Sequence, residues 1–366
     1  MTRAPLSSVA TFETMTPRRP GGVALIHVAG PGAVEVCAAL TGANVPEEGG
    51  VCRADFAGID DGLIATLPGG VVQLNPHGGP QIVLAVEQAL TRLGARPAAL
   101  ASSERFPEAA GPIEQDLCAA LVAAASPAAI DVLSGQPDAW RNALRDGSTA
   151  PGALRESVFA NRNLDRLLTP AIVALVGVPN AGKSTLLNRL AGRKAAIVDP
   201  APGATRDRLE LDIDHQGVVV RWIDTPGLRR DAGRVEQAAL AATRPVVAQA
   251  DVVVVLGDRD RWPDFTPSPD AIVLWVRNKT DLDPGFLTPQ ETDADSRLGG
   301  SIDTPLALSA KTGQGIDQLV EQVRRALGLT QTHLAVQAPW AFSPALKRWS
   351  RGEALDLVRY LGVNAR

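Results

Sequence analysis

Long uninterrupted apolar runs alternate with amphipathic stretches in the second half of the chain. The runs are Ile172 to Val176, Val252 to Leu256 and Ala271 to Val276, and the amphipathic stretches are Lys183 to Ala191 and Gly315 to Leu327. Apolar runs of this length are typical of strands buried on both faces of a parallel sheet. The segments Leu209 to Asp214 and Val218 to Ile223 predict one hairpin. The pattern therefore predicts an α/β domain over residues 169–328, with a mostly parallel sheet and helices on both faces.

The flanking regions have different patterns. Residues 1–110 contain short apolar stretches broken by Gly and Pro. They predict strands and helices of a small α+β domain: Gly22 to Val28, Ala33 to Leu40, Leu63 to Leu67, Val71 to Leu74 and Gln81 to Leu93. Residues 111–168 are rich in Ala and Leu and predict a helical segment. Residues 329–366 predict a helical tail whose last helix runs from Gly352 to Leu361.

The composition is ordinary for a globular protein, with 366 residues of which 45% are hydrophobic and 21% charged. The net charge of −4 provides no global positive field, so any contact with RNA must be local. Met1 to Met15 lacks the apolar core of a signal peptide, and no apolar run is long enough to cross a bilayer. We expect no membrane association and a cytoplasmic location. Cys37, Cys52 and Cys118 fit no metal or disulfide spacing and are expected to be small buried side chains.

The sequence from Gly177 to Ser184, GVPNAGKS, follows a predicted buried strand and opens a predicted helix. This is the context of a loop that binds phosphates through backbone N–H groups and a helix N-terminus. Lys183 would place its charge on the β- and γ-phosphates, and the Ser184 hydroxyl would bind Mg²⁺. The predicted phosphate-binding residues are Gly177, Asn180, Ala181, Gly182, Lys183, Ser184 and Thr185.

Two further segments fit the magnesium and γ-phosphate end of such a site. Asp224 and Gly227 belong to the sequence DTPG at the end of a predicted strand. There the carboxylate would hold Mg²⁺ through a water, and the Gly227 N–H would contact the γ-phosphate. Thr205, in the segment Gly203 to Asp207, would complete the magnesium shell. The same segment is also typical of a simple loop.

Two short motifs are predicted to select the base of the bound nucleotide. Asn278, Lys279 and Asp281 follow a predicted strand, and an aspartate there accepts two hydrogen bonds from guanine that adenine cannot donate. Ser309, Ala310 and Lys311 follow the next predicted strand, and the Ala310 N–H would bind the guanine O6. The order of the motifs predicts a protein that binds and hydrolyses GTP.

The group that positions the attacking water is not evident. The residue after Gly227 is Leu228, whose aliphatic side chain cannot orient water as a glutamine does. Here the chain resembles the MnmE (TrmE) family of bacterial tRNA-modifying GTPases. The resemblance lies in PNAGKST at 179–185, GATRD at 203–207, DTPGLRR at 224–230 and NPHGGP at 75–80.

This resemblance implies that Glu236 bridges to the attacking water, with Lys183 as the second catalytic residue, and that Asn180 helps to bind K⁺. A solvated carboxylate at a helix start also fits Glu236, and a polar loop residue also fits Asn180. The resemblance further implies an N-terminal domain that binds 5-formyl-tetrahydrofolate, a homodimer through the N-terminal and G domains, an FAD-dependent partner, and tRNA modified at its wobble uridine.

The chain also departs from the family. His27 stands where the family has an arginine, Leu67 to Gly70 replaces an aromatic-Thr-Gly-Glu-Asp segment, and the family's C-terminal Cys-x-Gly-Lys motif is not found. His77 is expected to be a turn residue. The alternative function is a non-modifying switch, for example in ribosome assembly, whose N-terminal domain serves dimerisation or docking.

The tail carries basic residues and two tryptophans, which are Lys347, Arg348, Arg351, Arg359, Trp340 and Trp349. Two interpretations remain open from the sequence. The group is either a local surface on which RNA bases stack, or a solvated helix face with packing tryptophans.

Overall fold

The computed structural model describes residues 9–145, 151–194, 210–225, 245–258, 261–263, 271–282, 305–335 and 338–363. The chain divides into two compact units. One consists of Met1–Ala119 with Leu355–Arg366, and the other of Ala120–Ala354. Within the described ranges, no helix combines the length and the apolar character needed to cross a membrane.

The first unit is built on a six-stranded sheet. Its strands are β1 (Thr11–Thr14), β2 (Ile26–Ala29), β3 (Val51–Asp55), β4 (Asp61–Leu67), β5 (Val71–Asn75) and β6 (Arg96–Pro97). They lie in the order β3-β4-β5-β2-β1-β6 and are antiparallel except for the parallel pair β1–β6. The helices are α1 (Ala33–Thr41), α2 (Pro80–Arg92), α3 (Ser102–Arg105) and α4 (Pro112–Ala123), of which α4 continues into the second unit.

The core of this unit lies between the sheet and helices α1 and α2. Leu40 of α1 and Leu90 of α2 pack in one buried cluster with Ile26, Ile64 and Leu74 from the sheet. Alternating strand residues and one stripe of each helix supply this cluster, which is what half-buried strands and amphipathic helices provide. The strand-rich N-terminal unit of the predicted fold class is thereby confirmed.

Three expectations for this region need correction. The predicted strand from Gly22 begins only at Ile26, because Val23 forms just an isolated bridge to His77. Strand β3 was not predicted, since it is an edge strand in which only Ala54 is buried. Its Cys52 is consequently exposed, contrary to the expectation of buried cysteines, whereas Cys37 is buried and burial raises its pKa to about 12.

The second unit begins with helices and continues as an α/β sheet. Its helices and strands are α5 (Ala128–Ser134), α6 (Gln136–Arg145), α7 (Pro151–Ala160), the 3₁₀ helix Asn161–Leu167, β7 (Ala171–Gly177), α8 (Lys183–Lys194), β8 (Glu210–His215), β9 (Val218–Asp224), β10 (Val252–Asp258), β11 (Ile272–Asn278), the 3₁₀ helix Thr280–Leu282, β12 (Leu306–Ala307), α9 (Ile316–Ala326), α10 (Gln331–Leu334) and α11 (Pro344–Ser350).

The six strands lie in the order β12-β11-β10-β7-β9-β8, and all neighbouring pairs are parallel except the hairpin β8–β9. Every residue of β10 is buried, and β7 is buried along all but Ile172. The predicted α/β fold, with a mostly parallel sheet and helices on both faces, is confirmed.

The tip of the β8–β9 hairpin is fastened to the helical segment that precedes the sheet. The turn passes through Gly217, whose φ is 91°. The Ala128 N–H donates to the Gly217 carbonyl at 2.9 Å, and the Val219 N–H donates to the Ser126 hydroxyl at 2.9 Å. The helical segment therefore supplies partners for backbone groups that a hairpin tip otherwise leaves to water.

The tryptophans of the tail are part of the core of this unit. The Trp140 Nε1–H donates to the Trp340 carbonyl at 3.0 Å, and the Trp340 Nε1–H donates to Asp165 Oδ1 at 3.0 Å. The rings of Trp140 and Trp349 meet edge to face at 5.5 Å. Because Trp340 is 0% and Trp349 5% exposed, neither ring is available to stack on RNA bases. The packing interpretation is confirmed, and the aromatic RNA surface is wrong.

The last helix, α12 (Leu357–Leu361), belongs to the first unit. There the Tyr360 hydroxyl donates to Asp116 Oδ2 at 2.6 Å. The prediction of a helix starting at Gly352 is wrong, because Gly352 has a φ of 103°. The helix begins after Asp356, whose side chain accepts a hydrogen bond from the Arg359 N–H and caps the first turn.

Candidate functional site

The loop from β7 to α8 requires glycine at two positions. A Cβ on Gly177 would lie 2.5 Å from the Leu256 carbonyl oxygen of the neighbouring strand. Gly182 has a φ of +96°, and a Cβ there would lie 2.4 Å from the Asn278 side-chain nitrogen. Asn180 also adopts a left-handed conformation, with a φ of 63°. The chain therefore curls tightly, with its backbone exposed to an incoming group at the start of a helix.

Lys183 opens α8 and turns its side chain back over this loop. Its Nζ donates to the Gly177 carbonyl at 3.3 Å. Burial lowers the pKa of Lys183, and the nearby charge of Asp224 acts in the opposite direction. A partly desolvated ammonium at the N-terminus of a 12-residue helix is arranged to meet a strongly anionic group. Thr185 lies in the first turn of the same helix.

Ser184 and Asp224 come together beside the loop, from α8 and from the end of β9. The Ser184 hydroxyl donates to Asp224 Oδ2 at 3.4 Å, a weak contact, while the other oxygen, Oδ1, is buried without a hydrogen-bond partner among the described residues. Burial raises the pKa of Asp224, and Lys183, Ser184 and the Thr225 N–H oppose this shift. A carboxylate with a buried free oxygen next to a hydroxyl fits a hard divalent cation such as Mg²⁺.

Asn278 joins the phosphate loop to the loop after β12. It is 3% exposed, and its side chain donates to the Ala181 carbonyl at 2.7 Å. Its Oδ1 accepts the Ala310 N–H at 2.9 Å. One buried amide thus fixes the distance between the loop predicted to hold phosphates and the two loops predicted to hold a base.

Asp281 and Ser309 face each other from the two loops that are predicted to hold the base. The Ser309 hydroxyl donates to Asp281 Oδ1 at 2.7 Å and accepts the Thr312 N–H at 3.2 Å. The carboxylate is therefore oriented by the protein itself. Such an oriented acceptor suits the paired N–H donors of guanine.

Sequence reasoning missed two residues that support these loops. Arg189 of α8 donates its Nε to the Ala310 carbonyl at 3.2 Å and a second N–H to the Lys311 carbonyl. Asp258, the last residue of β10, lies 2.8 Å from the Lys279 Nζ through its Oδ2. A carboxylate ending a fully apolar strand was the one available signal for Asp258; nothing in the sequence indicates the contacts of Arg189.

The structure thus brings the described residues of the motifs together in two neighbouring groups. We name them after their predicted roles: the phosphate end is Gly177 to Thr185 with Asp224, and the base end is Asn278 to Asp281 with Ser309 to Lys311. Three predicted site residues, Thr205, Gly227 and Glu236, lie outside the described residues.

Two histidines of the first unit have protein partners. His77 donates its backbone N–H to Asp60 Oδ2, and its Nδ1 lies 2.8 Å from Asp60 Oδ1. Burial acts to raise the pKa of Asp60, but these His77 contacts hold it below its usual value. The Nδ1 of His27 lies 3.2 Å from the Glu104 carbonyl oxygen, and its Nε2 lies 3.1 Å from Gln73 Oε1.

Comparison with known proteins places this site in a family. The family model described as "50S ribosome-binding GTPase" matches residues 172–281. The tRNA modification GTPase MnmE of Azorhizobium caulinodans is 33% identical over 88% of this chain and 82% of its own length. The protein of the same name from Paramagnetospirillum magneticum is 32% identical over 84% of this chain and 80% of its own.

Solved structures also match, but they cover a smaller share of this chain than the curated relatives do. Era of Aquifex aeolicus, bound to GDP and AlF₄⁻, is 25% identical over 42% of this chain and 56% of its own, with a TM-score of 0.31. A score this low carries no argument about function. The identity to the curated relatives extends over most of both chains, so this chain belongs to the MnmE family of tRNA modification GTPases.

Proposed function

We propose that this protein uses GTP binding and hydrolysis at the site between β7, β11 and β12 to drive modification of the tRNA wobble uridine. The observation that carries GTP binding is the Asn278 amide, which holds the phosphate loop and the base loops in one arrangement. The tRNA role is supported by the two relatives named tRNA modification GTPase and by the residues shared with that family. The protein would act in the cytoplasm.

In this proposal the phosphate end neutralises the triphosphate. Gly177, Ala181 and Gly182 offer backbone N–H groups, and Lys183 reaches the β- and γ-phosphates. Ser184, Asp224 and Thr205 would hold Mg²⁺, which supplies charge stabilisation to the transferring phosphate. The Oδ1 of Asp224, which is buried without a hydrogen-bond partner in the described part of the chain, supports this assignment.

The water that attacks the γ-phosphate needs an orienting group, and we assign this role to Glu236. The assignment is supported by the resemblance and by Leu228, which leaves the usual position without a polar group. Asn180 would contribute to K⁺ binding. It is exposed near the apex of the loop, but the other implied ligands, in the segment 203–207, lie outside the described residues.

Turnover assays test both assignments. Glu236→Ala should lower kcat roughly 100-fold or more, since a positioned acid–base group contributes that much, while GTP affinity stays close to that of the wild type. Glu236→Gln tests whether the charge is needed. Equal rates in KCl and NaCl would remove Asn180 from the metal ligands, and normal turnover of Glu236→Ala would reject that residue.

5-Formyl-tetrahydrofolate is not included in the proposal. The residue in the family's arginine position, His27, is 5% exposed, and both of its ring nitrogens already have protein partners. This side chain therefore has no free donor to offer an anionic ligand at the position where the family has its arginine. Calorimetry with 5-formyl-tetrahydrofolate should give no binding heat.

The tRNA role is tested in cells. A strain lacking the protein should lose the wobble-uridine modification, and wild-type protein but not Lys183→Ala should restore it. Copurification with an FAD-dependent protein, and a dimer through the N-terminal and G domains, are further parts of the proposal. Intact wobble uridines in the deletion strain would instead favour the ribosome-assembly switch.

A further inference from the structure

The buried carboxylate of Asp258, on strand β10, contacts the turn that carries Asp281. Asp258 ends β10 and lies directly opposite Asn278, the last residue of β11. It is 4% exposed. Its Oδ2 lies 2.8 Å from the Lys279 Nζ, and the Arg261 guanidinium binds the same oxygen.

Lys279 has a backbone conformation that is unfavourable for a residue with a Cβ. Its φ is 67°, in the left-handed region, where the Cβ of an L-residue is too close to the following carbonyl oxygen. On one side of it Asn278 is locked to the phosphate loop, and on the other the Thr280 N–H donates to the Leu308 carbonyl at 3.3 Å. Among the described residues, Asp258 is the ion-pair partner of the Lys279 side chain.

We propose that Asp258 is a positioning residue for guanine: its carboxylate holds Lys279 in the left-handed turn and thereby fixes Asp281 against Ser309. This role rests on the proposed function, because it refines how the same site selects its base. Asp258 itself lies in the adjacent strand and acts through Lys279. The phosphate end has its own supports in Lys183, Ser184 and Asp224.

The kinetic parameter that changes, KM or kcat, distinguishes this role from a general contribution to folding. Asp258→Asn keeps the size of the side chain but removes the charge that holds Lys279. It should raise KM for GTP about tenfold and leave kcat within twofold. The affinities for GTP, GDP and GMP should fall by the same factor, because all three share the base. A merely structural role would reduce the amount of folded enzyme, and hence the apparent kcat, without changing KM.

The chain offers a matched control. Arg261 binds the same carboxylate oxygen as Lys279 does, and its side chain is 66% exposed. Arg261→Gln therefore leaves the pair of Asp258 with Lys279 in place. This variant should keep the wild-type KM. If Arg261→Gln raises KM as much as Asp258→Asn does, the proposal is overturned, because the pair of Asp258 with Arg261, and not its pair with Lys279, would be what matters.

A double-mutant cycle closes the test. Lys279→Met should raise KM, and adding Asp258→Asn to it should raise KM by less than twofold more, since the two residues act as one unit. Asp258→Glu, which keeps the charge, should stay within about threefold of wild type and provides a second variant if Asp258→Asn does not fold. Independent, multiplying effects, or a Glu variant as weak as the Asn variant, would overturn the role. Wild-type protein that binds guanine nucleotides without hydrolysing GTP would contradict the proposed function alone, since the GMP comparison still reports on Asp258.

Discussion

The two ends of the nucleotide site are prepared to different degrees. At the base end, Asn278, Asp281 and Ser309 are oriented by contacts of 2.7 to 2.9 Å within the protein. At the phosphate end, Asp224 has a buried oxygen without a partner among the described residues, and Lys183 has a contact of 3.3 Å to a carbonyl. In the proposed function, the base end therefore has its orienting contacts within the protein, whereas the phosphate end would obtain further partners from the ligand and its cation.

The pKa values of two groups at the phosphate end are shifted by burial. Burial acts on both charged groups of the phosphate end, so that the pKa of Lys183 falls and that of Asp224 rises. Each shift means that the charged form is less stable there than in water, because the mutual attraction of the pair does not fully replace the lost solvation. In the proposed function, the negative charge of a triphosphate would stabilise the charged form of Lys183, and Mg²⁺ would stabilise that of Asp224.

The largest expected effect is at the base end. Asp281→Asn removes a carboxylate that would accept two hydrogen bonds from guanine, each worth about 1.5 to 3 kcal/mol when charged, so GTP affinity should fall by roughly two to four orders of magnitude. Xanthosine triphosphate, which has a carbonyl where guanine has its amine, should bind this variant better than GTP. Calorimetry with both nucleotides measures the change of preference.

Asp131→Asn, at an exposed position of α5, is the matched control and should bind GTP normally. If Asp281→Asn kept its preference for GTP, the base would have to be selected elsewhere, and the base end would no longer be the prepared half of the site.

The second effect belongs to the phosphate end. Removing Mg²⁺ with EDTA leaves Asp224 and the triphosphate facing each other without a cation, so GTP affinity should fall about 10- to 100-fold, corresponding to the loss of a charged contact. GMP lacks the β- and γ-phosphates and should bind equally well with and without Mg²⁺. An equal loss for both nucleotides would mean that the two ends are not separate in the way described.

The smallest effect tests how much the orientation of Asp281 contributes. Ser309→Ala removes the hydroxyl that holds Asp281 Oδ1, and the loss of one such bond, about 1 kcal/mol, should weaken GTP and GMP by the same factor of roughly five. The matched control is Ser134→Ala: the Ser134 hydroxyl donates to the Ile130 carbonyl within its own helix, and its removal should have no effect on either nucleotide. A loss confined to GTP would contradict the assignment of Ser309 to the base end.

Much of the G domain could be predicted because its signals are local. Buried strands appear as apolar runs in the sequence. The phosphate loop is recognised from its glycines, and the structure shows that a Cβ at position 177 or 182 would clash with neighbouring atoms. Arg189 and Asp258 could not be found in this way, since each acts on residues far along the chain, and a charged residue on a helix or at a strand end is usually only solvated. The edge strand β3 was missed because only Ala54 of its five residues is buried. A strand with so little burial does not need the alternation of apolar and polar residues from which strands are predicted.

The fastening of the β8–β9 hairpin has a mechanical consequence. In the chain, this hairpin connects the segment 203–207 directly to Asp224, the two parts predicted to contact the γ-phosphate and its cation. Its far end is tied through Gly217 and Val219 to Ala128 and Ser126. Any displacement of this hairpin along its length would therefore have to move the start of α5 with it or break these two hydrogen bonds.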